Sequence, residues 1–194
     1  MLDFLRSCLA VLSSRWKIIV IFNLLFFGCL LVFLLISMFV FPQTSSYAQP
    51  APQRPVDSTG WFSLGLNILL GNLIVSFVFV ILPGTLLFPL SMVDPLYNAA
   101  VWGALSYSLG DIQFFTILPT FILEGEALIL SATAATILGC AWLKPDWVHP
   151  DEHMPRLDSF SEALHEEALK IYFIVILLLL TAATVETGTI FLAT

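Results

Sequence analysis

The sequence predicts an all-α protein, a polytopic bundle of about five transmembrane helices that forms one membrane domain over residues 1–194. Three observations support this fold class: 59% of the residues are hydrophobic, only 11% are charged, and the apolar residues stand in long uninterrupted blocks. A soluble domain has about 25% charged residues. Blocks of this length cannot be buried in one water-soluble core, and they have the length of membrane-spanning helices.

The first predicted span covers about residues 18–41. This block supplies the roughly 20 apolar residues that a spanning helix needs. Arg6, Arg15 and Lys17 precede it, as basic residues precede the apolar core of a signal peptide. However, the block is longer than a signal-peptide core of about 7–15 residues, and no clear small-x-small cleavage site follows. We therefore predict that the segment is retained.

Residues 42–60 form a predicted outer loop that leads to the second span. The loop is rich in Pro, Ser and Gln, a composition that favours extended structure and cannot build a packed core. Trp61 then marks the return to the membrane, because the amphipathic ring of tryptophan prefers the interface. The second span is predicted over about residues 61–82.

The middle of the chain predicts broken or kinked helices. Pro83 and Gly84 interrupt the apolar sequence, and a third span is predicted over about residues 85–108. The fourth apolar block, about residues 114–143, contains Pro119 and is too long for one simple span. Proline removes a backbone donor and clashes with the preceding helical turn. This block is therefore either a kinked helix or a partial helix followed by a full one.

The last span and the placement of charge predict the orientation. A polar loop over residues 144–165 leads into a fifth span at about residues 171–191, and the acidic stretch 146–167 supplies much of the net charge of −7. With five spans, this loop and the N-terminal region lie on the same side. Both regions carry Lys and Arg, which are enriched in cytoplasmic loops. We therefore predict a multi-pass plasma-membrane protein with a cytoplasmic N-terminus and a cytoplasmic acidic loop.

The polar residues outside the spans give no sign of catalysis or metal binding. The few Lys and Arg form no cluster that neutralises several phosphates, so nucleic acid is not a predicted partner. The 3 cysteines and the loop histidines His149 and His153 lack disulfide or zinc-type spacing. No HExxH, GxSxG or phosphate-loop motif occurs. We predict no enzymatic activity, no metal and no cofactor.

Three glutamates inside the apolar blocks form the candidate polar site: Glu124, Glu126 and Glu186. Ionisable residues at membrane depth are costly and mark functional positions by default. No Lys, Arg or His lies inside any apolar block, so an intramembrane salt bridge is not available. The acids are therefore protonated and hydrogen-bonded, exposed to water in a cavity, or bound to a cation.

Glu124 and Glu126 point in different directions on a regular helix, because residues two apart differ by about 200°. Either the helix is unwound at Gly125 so that both face the bundle interior, or one faces the interior and the other a polar edge. Asn67, Asn72 and Asn98 carry amides that could bond the glutamates. A simpler interpretation is that each acid only joins helices through hydrogen bonds.

Three short stretches carry a family resemblance. Residues 98–103 read NAAVWG, residues 117–127 read ILPTFILEGEA, and residues 182–186 read AATVE. They resemble the motifs Asn-Gly-x-x-x-Gly, ILPHGxFExPA and AAxxE of the stage II sporulation protein M family of integral membrane proteins. Their order and spacing agree with that family across roughly the whole membrane domain.

The resemblance singles out Glu124 and Glu186, which stand at family-matching places. The chain also departs from the pattern: the motif histidine is Thr120, its second proline is Glu126, and alanine follows Asn98 where the family has glycine. If the family histidine has a chemical role, this protein lacks it. The resemblance implies a membrane scaffold, because members in spore-forming bacteria are implied to hold a complex of cell-wall-cleaving enzymes during engulfment.

Two functions from different classes follow as hypotheses. The first is a non-enzymatic scaffold or complex-organising subunit, with the lipid bilayer and other membrane proteins or a second copy as partners. Glu124 and Glu186 would then lie near one another, satisfied by Asn and Thr side chains. The alternative is a small transporter or proton- or cation-coupled permease in which those acids line a cavity. An intramembrane hydrolase is a third hypothesis, but it lacks a recognisable nucleophile or metal set.

Overall fold

The computed structural model describes residues 2–40, 58–107, 111–149 and 153–193. Nearly all of these residues are helical, and none of them forms a strand. The predicted all-α fold is therefore confirmed. Most of the predicted outer loop, residues 42–57, lies outside the described ranges.

The helices follow one another with few loops inside the described ranges. The α-helices are α1 (Leu2–Ser14), α2 (Trp16–Val40), α3 (Ser58–Ile74), α4 (Leu82–Leu86), α5 (Val93–Ser106), α6 (Asp111–Leu143), α7 (Pro145–Val148), α8 (Arg156–Glu162) and α9 (Leu169–Ala193). A π-helical segment, Val75–Ile81, joins α3 to α4, and a second, Ala163–Ala168, joins α8 to α9. A short 3₁₀ helix, Phe88–Met92, precedes α5.

Four helical stretches of the described chain are long and apolar enough to cross a membrane. They are Trp16–Val40, Gly60–Leu86, Phe115–Leu143 and Arg156–Ile190. α5 lies within the predicted third span and has only 14 residues, a length of about 21 Å. It is shorter than the hydrocarbon core of about 30 Å. The described residues therefore hold four helices of spanning length, against the five spans predicted, and the predicted third span contains only the shorter α5.

The irregularity predicted around Pro83 and Gly84 is found on both sides of this pair. The π-helical segment precedes it, and Leu87 after it has an extended backbone with φ −142° and ψ 105°. Pro83 itself is the second residue of α4, and the π-helical segment runs into α4 without a break in the helical backbone geometry. The helix therefore passes through Pro83 and Gly84 and ends at Leu87.

α6 is the central helix of the bundle. Of the residues in its most apolar stretch, 67% are buried inside the bundle. The corresponding share is 6% for α2, 11% for the helix from α3 to α4, and 33% for the last helix. Pro119 lies inside this continuous helix of 33 residues, so α6 is not a partial helix followed by a full one. One hydrophobic cluster packs α6 against α9, and a second packs it against α2 and α5.

α2 and α5 run in the same direction. The Cys29 Sγ lies 3.6 Å from the carbonyl oxygen of Leu96. Further along both helices, Gly103 lies against the backbone of Leu30 and Leu34. Contacts that advance together along two helices mean that the helices are parallel. The chain has therefore crossed the bundle twice between Val40 and Ser106.

α3 and α9 run in opposite directions. Gly65 lies against the Thr187 side chain near the start of α3, whereas Phe77 further along the chain contacts the Tyr172 ring at 6.4 Å. These contacts run in opposite order along the two helices. α3 therefore runs antiparallel to α9, in agreement with a chain that reverses at each pass.

The first and last parts of the chain meet at one end of the bundle. The Arg15 guanidinium donates two hydrogen bonds, of 2.5 and 2.6 Å, to the Glu167 carboxylate. This pair places the N-terminal region and the segment before α9 on the same side, as an odd number of passes requires. That this side is cytoplasmic stays a prediction.

α1 is an additional helix that was not expected before the first span. It packs against α9 through the edge-to-face contact of Phe4 with Phe173, whose ring centroids are 5.2 Å apart. Cys8 on the same helix is buried. The spacing of Leu5, Cys8 and Leu12 is typical of an amphipathic helix. That spacing is the signal in the sequence from which α1 could be predicted.

Candidate functional site

Glu124 joins the central helix to α3. The Asn72 amide of α3 donates a hydrogen bond to the Glu124 carboxylate, and the contact is partly buried. Glu186 on α9 lies close enough for its charge to interact with Glu124. The two glutamates that the family pattern singles out therefore belong to one region, where α3, α6 and α9 meet.

Glu126 faces a different neighbour, α2. The Asn23 amide donates to the Glu126 carboxylate at 3.5 Å and to the carbonyl oxygen of Ile19 at 3.1 Å. Asn23 was not predicted as a site residue. The available signal was a single amide inside a block of otherwise apolar residues, which is unusual for a lipid-facing helix.

The two acids need no unwinding of α6, which stays helical throughout this stretch. Glu126 faces α2 rather than a polar edge, because α6 has neighbouring helices on opposite sides. Gly125 lies between the acids, against the Phe26 ring of α2: a Cβ at Gly125 would lie 2.8 Å from the ring carbon Cε1. Glycine is therefore required there by the close approach of the two helices and not by an irregular backbone.

Asn98 does not reach the glutamates, so the prediction that its amide bonds them is wrong. Its amide donates to the carbonyl oxygen of Asp94 at 3.0 Å and to the Asp94 carboxylate at 2.9 Å. Both partners lie one turn earlier on α5. Residues four positions apart on a helix are neighbours on its surface. The spacing of Asp94 and Asn98 in the sequence therefore predicts this local hydrogen bond.

Two further polar contacts tie α6 to the segment between α3 and α5. The hydroxyl groups of Ser76 and Ser131 are 2.7 Å apart, and those of Ser91 and Thr136 are 2.9 Å apart. All four side chains are buried. Together with Asn72–Glu124 and Asn23–Glu126, these contacts give α6 hydrogen bonds to its neighbours at several levels along its length.

Thr120 carries a buried hydroxyl that has no hydrogen-bond partner within the described part of the chain. It lies one turn before Glu124 on the same helix face. The other buried hydroxyls of α6 have partners: Thr133 donates to the carbonyl of Ile129 at 2.9 Å, Ser131 donates to that of Ala127 at 2.7 Å, and Thr136 pairs with Ser91. Thr120 differs from them in having none among the described residues.

Two cavities lie between helices of the described chain. A groove of about 680 Å³ between α3 and α9 is lined by Trp61, Phe62, Gly65, Leu66, Leu69, Leu180, Ala183, Thr184, Thr187 and Gly188. A smaller one of about 240 Å³ lies between α2, α6 and the 3₁₀ helix. Neither of these two is lined by Glu124, Glu126 or Glu186, although the groove is lined by Thr187, the next residue after Glu186.

The ion pair of Arg15 with Glu167 differs from the other salt bridges of the described residues in that both of its side chains are mostly buried. The side chains of Arg15 and Glu167 are only 24% and 16% exposed. The hydrogen bonds to Glu167 raise the pKa of Arg15, and the charge of Glu167 acts in the same direction against the cost of burial. The pair links the junction of α1 and α2 to the beginning of the last helix.

Comparison with known proteins identifies the family. The family model described as Stage II sporulation protein M matches residues 18–189, which is most of the chain. The chain belongs to this family. The family match runs from α2 to α9 and includes Asn23, Glu124 and Glu186, whereas α1 precedes it. No curated protein and no solved structure matches the chain.

The positions that the motif resemblance singles out, Thr120, Glu124 and Glu186, all lie within the matched residues. A membrane protein with apolar spanning helices is what both the family and the fold support.

Proposed function

We propose that this protein is a non-enzymatic membrane scaffold that organises a complex of other membrane proteins. The observation that carries the proposal is the engagement of the membrane carboxylates by amides of neighbouring helices. Asn72 holds Glu124, and Asn23 holds Glu126. Acids used in this way fix the positions of helices, which a scaffold needs in order to present constant surfaces.

The packing around α6 supports a rigid body. Its buried residues are mostly small. Gly125 and Gly139 of α6, and Gly84 of α4, allow neighbouring segments of the chain to approach closely. Small residues at helix contacts permit the close packing and interhelical hydrogen bonds that stabilise membrane bundles. α2, by contrast, exposes most of its apolar side chains, so it offers a large surface to lipid or to a partner.

Replacing Glu124 tests whether the acid holds helices or exchanges protons. In Glu124→Gln the new amide oxygen still accepts the hydrogen bond from Asn72, so we expect stability within about 1 kcal/mol of the wild type and unchanged partner binding. In Glu124→Leu the amide of Asn72 loses its partner, which costs about 1–3 kcal/mol. Thermal unfolding in one detergent measures both.

The partners are sought by affinity purification of the full-length protein in mild detergent, followed by mass spectrometry. We expect the same membrane proteins to co-purify with the wild type and with Glu124→Gln. Two results together would contradict a scaffold: purification without specific partners, and a proton or cation flux in liposomes that Glu124→Gln abolishes. That flux would instead indicate a transporter.

A further inference from the structure

Asn67 differs from the other asparagines in having no side-chain hydrogen bond within the described residues. The chain has four asparagines, and Asn23, Asn72 and Asn98 all donate to groups inside the protein. The Asn67 side chain is exposed, and no hydrogen bond to it occurs within the described residues. It lies within an apolar stretch that is long enough to span the membrane.

The side of α3 that carries Asn67 points away from the bundle. Ser63 and Gly71 lie one turn before and one turn after it, and all three residues are exposed. A Cβ at Gly71 would meet no atom within 4 Å. The opposite side of the same helix carries Gly65 and Asn72, which contact α9 and α6.

This position is costly for a side-chain amide. Asn67 lies about 13.5 Å along the helix from Ser58, at 1.5 Å per residue, and so below the interfacial residue Trp61. Transfer of an amide from water to an apolar environment without a hydrogen bond costs roughly 2–7 kcal/mol of free energy. The exposed hydroxyls of Thr181 and Thr184 avoid that cost by donating to carbonyls of their own helix, whereas Asn67 does not.

We propose that Asn67 lies at an interface with a second copy of this chain and pairs with its own counterpart across a two-fold axis. The amide has both donors and acceptors, so two identical asparagines satisfy one another, as a two-fold contact requires. Ser63 and Gly71 have small side chains at four-residue spacing, which lets two α3 helices approach closely enough for that bond. The inference rests on the proposed scaffold and names one of its partners.

Disulfide cross-linking in the native membrane tests this pairing directly. The full-length chain, with Cys8, Cys29 and Cys140 replaced by alanine, receives Asn67→Cys or, as a lipid-exposed control on α2, Leu31→Cys. We expect oxidation to give a product of twice the monomer mass with Asn67→Cys and little with Leu31→Cys. No such product, equal products from both variants, or a product containing a different membrane protein would overturn the proposal.

A second variant separates self-association from folding and from partner binding. We expect Asn67→Leu to raise the dimer dissociation constant roughly tenfold, as expected for losing interhelical hydrogen bonds of about 1–2 kcal/mol, while the unfolding temperature of the monomer stays unchanged. Asn67→Gln should retain most of the association. If Asn67→Leu dimerises like the wild type, the pairing is refuted. A wild-type protein with which no specific membrane protein co-purifies would instead refute the scaffold.

Discussion

At the scale of single residues, the bundle is held by polar side chains that each have a defined partner. Glu124 and Glu126 stand two positions apart and bond amides on opposite neighbours of α6. A central helix can place acids on both of its sides without exposing either to lipid, because both sides face protein. Thr120 breaks this pattern, since its buried hydroxyl has no partner in the described chain.

Replacing the Thr120 hydroxyl therefore should stabilise the protein. A buried polar group without a hydrogen bond costs about 1–3 kcal/mol, and Thr120→Val removes the hydroxyl at nearly constant volume. We expect a rise in stability of about 1 kcal/mol in thermal unfolding. Thr133→Val is the matched control, because it removes a bonded hydroxyl of the same helix and should not stabilise. A loss with Thr120→Val would mean that the hydroxyl holds a bound water or ligand.

At the scale of elements, the chain between α3 and α5 shows how close packing determines local shape. Three segments converge at Gly84: a Cβ there would lie 2.6 Å from the Cβ of Ser91 and 2.7 Å from that of Ala135. The 3₁₀ helix that carries Ser91 is brought back onto α6 by the extended backbone at Leu87. The hydrogen bond between Ser91 and Thr136 then holds this turn in place.

The close approach at Gly84 makes a specific prediction for a single added methyl group. We expect Gly84→Ala to destabilise the protein by about 1–3 kcal/mol, the usual cost of overpacking, because neither the serine nor the alanine Cβ can move without its backbone. Gly28→Ala on α2 is the control, since a Cβ there meets no atom within 4 Å. Unfolding of both variants in the same detergent measures the difference. Equal stabilities would mean that the 3₁₀ helix is not fixed on α6.

At the scale of the whole molecule, the sequence predicts what the bilayer dictates and misses what neighbouring helices decide. Spanning segments are predictable because hydrocarbon requires about 20 apolar residues in each helix. The contact of Glu124 with an asparagine is foreseen because few polar groups are available. The pairing of Glu126 with Asn23 is not, because it depends on which side of α6 the first span occupies. Composition carries no information about that choice.

The Arg15–Glu167 pair joins the first and last parts of the chain at one end of the bundle. Its loss should therefore lower the stability of the whole bundle. Glu167→Gln leaves a mostly buried guanidinium without its counter-charge, so we expect a loss of about 1–3 kcal/mol, below the roughly 3–5 kcal/mol of a fully buried pair. The neighbouring pair of Lys170 with Glu166 is the control. The Glu166 side chain is 66% exposed, and solvent screening leaves exposed pairs of this kind little effect on stability.

Thermal unfolding of Glu167→Gln and Glu166→Gln in the same detergent therefore should separate the two contacts. The double variant Arg15→Leu with Glu167→Leu replaces both charges by apolar groups and should recover part of the stability, because no unpaired charge is left buried. If Glu167→Gln lost no more than Glu166→Gln, the first and last segments would be held together by apolar packing alone. The contact of Phe4 with Phe173 and the burial of Cys8 would then carry the attachment of α1.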